Sequence, residues 1–150
     1  MYRNIILLIV IMASNIGFST SLNKDYSLVF IYESTCPYCQ KMAPVVRDIQ
    51  KENSMNLYAI SADNKTLDVL DDKEVINLPL SADITTKYYG SSPVRFPLLV
   101  LQQLNGDMNH YVIANGLTPK SDAEKTLNSY LNYFNQAKTL KIREQGISHD

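Results

Sequence analysis

Apolar and polar positions along the chain fall into short, distinct patterns. Ser27–Tyr32 reads SLVFIY, apolar and β-prone, which predicts a buried strand ended by Glu33-Ser34-Thr35. At Cys36 the period changes. Met42, Val45, Val46 and Ile49 recur at helical spacing until the pattern fades near Lys51–Ser54. Pro44 lies inside that helix, where it removes a backbone hydrogen bond and predicts a kink. Asn56–Ile60 is a second strand. The stretch from Ser61 to Leu80, charged with scattered Leu, Val and Ile, predicts a loop and a short helix. Ser81–Tyr89 is another short helix, with Ser81 as N-cap and Asp83 in its first turn, stopped by Gly90-Ser91-Ser92-Pro93.

After Pro97, Leu98–Leu101 is a strong strand, and Asn105-Gly106 is a hairpin signal before the returning strand His110–Ile113. Asn115-Gly116 ends it. Ser121 opens a closing helix with Ala123, Leu127, Tyr130, Leu131 and Phe134 on one face. The aromatic stripe Tyr130, Tyr133, Phe134 reads as helix packing. From about Lys138 onward the residues are polar, and a frayed tail is expected. The order β, α, β, α, β, β, α predicts an α/β three-layer sandwich with a mixed central sheet.

The start of the chain follows a different rule. Met1-Tyr2-Arg3-Asn4 is short and basic, Ile5–Met12 is unbroken apolar, and small or polar residues follow to Ser21. These are the parts of a secretory signal peptide over residues 1–20. The apolar run is shorter than the ~20 residues of a spanning helix, so membrane contact is expected only through this segment if it stays uncleaved. The 150 residues suit a single domain, here 21–137, with 138–150 as a flexible C-terminal tail. The formal net charge of -1, without long single-sign runs, offers no electrostatic case for nucleic acid or an anionic membrane surface.

The chain has 2 cysteines, Cys36 and Cys39, three apart at the predicted helix start. An exported protein stapled by disulfides spreads its cysteines, so a close pair points to chemistry. At a helix N-terminus, free N–H groups and the dipole favour the thiolate of the first cysteine. The second, one turn deeper, is placed to attack a mixed disulfide. Cys36 is thus the expected nucleophile and Cys39 the resolving thiol. Other readings of the pair stay open. It would be half of a zinc site if His110 and His149 supplied ligands, or an inert structural disulfide. Lys41 reads as a solvated helix lysine and His110 as a strand residue facing solvent or a neighbour.

Cys36-Pro37-Tyr38-Cys39-Gln40-Lys41-Met42-Ala43-Pro44 after a buried strand resembles the active-site strand and helix of thioredoxin, with the kinking proline in its place. Phe96-Pro97 before Leu98–Leu101 and Asn105-Gly106 resembles that fold's cis-proline and hairpin, and Gly116 with the closing helix completes the likeness. A closer resemblance is to the periplasmic disulfide isomerases of conjugative transfer systems, the TrbB and TraF type. It rests on Phe30–Cys39, Ala59–Leu67 and Leu78–Asp83.

The resemblance implies a thioredoxin-like fold and a periplasmic thiol–disulfide oxidoreductase, an isomerase or reductase acting on exported cysteine-containing proteins. It implies no cofactor beyond a redox-active Cys36–Cys39 disulfide, no metal, and a membrane thiol redox partner. It further implies that Pro97 is cis and faces the pair, with Pro93 its rival, and that Pro37, Tyr38 and Phe96 contact substrate. The buried acid that thioredoxins and DsbA-like proteins carry six residues before the first cysteine is replaced by Phe30. Glu33 is the substitute proton relay to consider. Tyr38, standing where a His makes a strong oxidant, implies a less oxidising protein than DsbA. A different reading is an assembly or binding protein of a secretion apparatus, with the same fold but no essential redox activity.

Overall fold

The computed structural model describes residues 24–146, so the expected signal segment at 1–20 and His149 lie outside the described residues. Five strands form one sheet in the order β3-β2-β1-β4-β5. They are β1 (Tyr26–Tyr32), β2 (Asn56–Ser61), β3 (Val75–Pro79), β4 (Leu98–Gln103) and β5 (His110–Asn115). Three helices flank it: α1 (Pro37–Glu52), α2 (Ala82–Tyr89) and α3 (Lys120–Gly146). β1 runs parallel to β2 and antiparallel to β4, so the sheet is mixed as expected.

Alternation along the strands divides the core in two. Leu28, Phe30 and Tyr32 of β1 point to one face, with Leu57, Ala59, Leu99 and Leu101. α1 covers them with Met42, Ala43, Val46 and Ile49, and α3 with Ala123 and Leu127. Val29, Ile31, Ile60, Leu98 and Val100 point to the other face, where Ile84, Tyr88 and Tyr89 of α2 pack. All seven residues of β1 are buried, the mark of a central strand covered on both sides.

Ser61–Leu80 departs from expectation. Its helix is only a 3₁₀ turn, Asp68–Leu70, and a fifth strand, β3, follows. β3 lies at the sheet edge and buries only Val75, so its apolar signal is thin, and its Pro79 is tolerated where no ladder partner lies outside. Leu80 N extends the pairing by donating to Ser61 O at 2.8 Å. α3 also departs: it continues past Lys138 to Gly146 through good helix formers such as Leu140, Lys141 and Arg143. Pro44 sits exposed inside α1 without ending it. The aromatic stripe packs α3 to the sheet, with Phe134 stacked on Tyr26 at 4.9 Å and Tyr130 Oη donating to Val112 O at 3.2 Å. Tyr133, 67% exposed, lies at its margin.

Candidate active site

Register places the site. Ile31, near the end of β1, pairs with Leu98 at the start of β4, so the segment leading to Cys36 and the segment Phe96-Pro97 leave the sheet at the same end. Leu98 also pairs with Asn115, and Gly116 N donates to Pro97 O at 2.8 Å. Gly116 has φ 94°, in the region glycine favours. The Phe96–Pro97 bond is cis, and among the described residues no other peptide bond is, Pro93 included. Pro97 is buried. Phe96 is half-buried and packs against both core clusters.

Cys36 is the N-cap of α1. Its backbone is extended (φ -74°, ψ 118°), and its Sγ accepts from Cys39 N at 3.4 Å. Pro37 follows in the first turn, where a missing N–H costs no helical bond. Cys36 N donates to Glu33 O at 3.2 Å and closes the turn between β1 and α1. Both cysteines are free thiols. Cys36 is half-buried and Pro37 and Tyr38 are exposed, Tyr38 at 58%, so this corner is open to a partner.

Cys39 is different. It is fully buried in the cluster with Phe30, Tyr32 and Met42. Burial, the bond to Cys36 and the charges of Cys36 and Glu33 push its thiol up to about 12. Phe30 stacks on Tyr32 with centroids 5.4 Å apart, so an apolar aromatic pair occupies the core at the position where an acid is expected. Glu33 is half-buried, and its charge is felt at the Cys39 sulfur.

Several contacts around the site carry no signal in the sequence pattern. Asp63, beyond β2, accepts from both Ser34 N and Ser34 Oγ, and the Ser34 hydroxyl holds its carboxyl down at about 2. Gln40 Nε2 donates to Ser34 O at 2.8 Å. Tyr89 Oη donates to Arg95 O at 2.8 Å, anchoring the chain just before Phe96. Beside that chain, an open groove of about 350 Å³ is lined by Tyr88, Tyr89, Pro93, Arg95, Leu98 and Val112 among others. Lys41 is exposed. His110 stands edge-on to Tyr88 at 5.1 Å, with its pKa lowered by burial and by Lys87. Among the described residues, no group of three or more His, Cys, Asp or Glu is gathered to hold a metal ion, and no helix is long and apolar enough to cross a membrane.

A mixed five-stranded sheet with helices on both faces, a Cys-x-x-Cys pair opening α1 and a cis-proline before β4 define a thioredoxin-fold protein. The chain belongs to the family of TraF, F plasmid transfer operon protein, whose pattern matches residues 17–127. No curated protein matches it. Among solved structures it is similar to the pneumococcal exposed lipoprotein thioredoxin Etrx1 from Streptococcus pneumoniae strain TIGR4. The TM-score is 0.51 at 15% identity, over 74% of this chain and 89% of that one. It is also similar to a protein assigned as the thiol:disulfide interchange protein DsbE from Chlorobium tepidum. There the TM-score is 0.50 at 20% identity, over 70% of this chain and 79% of that one.

Proposed function

We propose that the chain is a periplasmic thiol–disulfide oxidoreductase, an isomerase or reductase, acting on exported cysteine-containing proteins in the service of conjugative transfer. The observation that carries the reading is the contrast within one pair: a half-buried Cys36 capping α1, and a buried Cys39 whose N–H reaches the Cys36 sulfur. Family membership supports the conjugative role. An N-terminal signal peptide supplies the route to the periplasm, and a membrane thiol partner resets the pair.

In the reaction the Cys36 thiolate attacks a substrate disulfide. One S–S bond forms between Cys36 and substrate, one breaks, and the other substrate sulfur leaves as a thiolate. Pro37, Tyr38 and Phe96 line the approach, and the backbone beside Pro97 pairs with an extended substrate segment. Two exits follow. Cys39 gives up its proton and attacks Cys36, which releases reduced substrate and leaves the Cys36–Cys39 disulfide. Alternatively, a second substrate thiol attacks, which releases a rearranged substrate and regenerates Cys36. Glu33 is the proposed acceptor of the Cys39 proton. A resolving thiol held up near 12 slows the first exit, which favours the second when substrate thiols are at hand.

A Cys39→Ala trap tests this. Expected are covalent adducts between Cys36 and exported proteins that reducing agent releases. Absence of adducts, together with no insulin reduction and no scrambled-substrate activity in the parent protein, would sink the enzyme reading. Intact transfer after both cysteines are replaced would leave an assembly role instead.

A further inference from the structure

We propose that Asp63 is a positioning residue for the redox centre, holding the turn that carries Cys36 by a clamp on Ser34. The proposal rests on the reading of Cys36 as the attacking thiol. Asp63 Oδ1 accepts from Ser34 N at 3.3 Å, and Asp63 Oδ2 accepts from Ser34 Oγ. From the other side, Gln40 Nε2 donates to Ser34 O. Every polar group of Ser34 is thereby engaged, by α1 on one side and by the segment after β2 on the other. Ser61 Oγ lies 2.9 Å from Asp63 Oδ1 and 2.9 Å from Lys65 O, its one proton shared between the two acceptors, and Ser61 is the β2 residue that pairs with Tyr32 at the end of β1. The clamp is therefore referred to the sheet itself.

Its relevance to chemistry lies in the distance it controls. Ser34 is two residues before Cys36, inside the turn closed by Cys36 N and Glu33 O. That turn sets where the Cys36 sulfur meets the Cys39 N–H, a contact of 3.4 Å. A small shift of the turn lengthens it and withdraws the donor from the sulfur. An ionised acceptor makes stronger hydrogen bonds than a neutral one, and this carboxyl stays ionised wherever thiols react. Asp63 acts through Ser34, not on a sulfur. Its own charge works in the opposite direction, disfavouring a nearby thiolate, so the clamp and the charge predict opposite effects of removing it.

The test is the rate at which iodoacetamide alkylates Cys36 in the reduced protein at pH 7, resolved by mass spectrometry, alongside urea unfolding. Asp63→Asn and Ser34→Ala should each slow the reaction, on the order of threefold to tenfold, and the double variant should be no slower than the singles. Ser34→Thr, which keeps the hydroxyl, should stay near the parent rate. A parent-like rate in Asp63→Asn, whatever its stability, overturns the proposal, as does a faster one, which would assign the effect to charge. If Ser34→Ala does not fold, Asp63→Asn and Ser34→Thr decide between them. Insulin reduction by the parent is read separately. A clamp-dependent alkylation rate without insulin reduction supports the clamp while counting against exchange.

Discussion

The β1–α1 unit and the stretch from Ser61 to Leu80 lie side by side and draw on burial and polar contacts in different proportions. β1 is buried along its whole length, and α1 lays Met42, Ala43, Val46 and Ile49 onto it. β3 buries only Val75 and leaves Ile76 43% exposed. The second region has one fully buried apolar anchor, Leu70, and is otherwise tied down by polar contacts. Arg47 of α1, almost fully buried, reaches Asp72 at 2.7 Å and Glu74 at 3.6 Å. Asn77 Nδ2 donates to Leu70 O, and Asp63 grips Ser34. The cysteines sit where the two regimes meet. Hydrophobic burial provides a rigid seat for Cys39, and directional polar contacts set the turn that presents Cys36. Close packing holds Cys39 in place without directional bonds, whereas hydrogen bonds fix particular donor–acceptor distances in the turn.

The largest test of this contrast is Phe30→Ala. It empties a fully buried position stacked on Tyr32 and should cost about 3–5 kcal/mol in urea unfolding. A loss no larger than that of a surface change would mean that the first unit is not held by its core. Next is Arg47→Ala, which leaves Gln50 and Asp72 without this partner and should cost about 1–3 kcal/mol. Its sharper readout is local. Amide exchange should accelerate in the segment from Asp68 to Pro79 more than in β1, and equal acceleration in both would break the distinction.

The smallest effect is a pH dependence in the reduced protein. The Cys39 thiol is raised from its ordinary 9.0 to about 12 in the folded chain. Its contribution to stability is fully present below pH 9 and is lost as pH rises toward 12, because the unfolded chain releases the proton first. Stability should therefore fall by about 1 kcal/mol between pH 9 and 10 beyond any fall seen in Cys39→Ala. Equal slopes in the two proteins would mean that the Cys39 site does not hold the neutral thiol.

What the sequence determined by itself was whatever local pattern encodes. Ser27–Tyr32 announces a buried strand because its run is apolar and β-prone. Ser81, Asn105-Gly106 and the 36–39 spacing announce a cap, a hairpin and a helix-start thiol pair because each acts within a few residues of itself. With Pro97, these motifs were enough to recognise the fold, and the segments Phe30–Cys39, Ala59–Leu67 and Leu78–Asp83 the family. Only the tertiary structure decided the rest. β3 is legible as a strand only through its pairing with β2, since one buried residue leaves almost no pattern. Asp63 reaches Ser34, 29 positions away, and Arg47 reaches Asp72, 25 positions away, across gaps that no periodicity spans. The different environments of two identical residues, Cys36 at the open cap and Cys39 in the core, likewise come from what the sheet and helix bring around them. Burial and long-range polar contacts are properties of the packed chain, and they set the terms on which the two thiols differ.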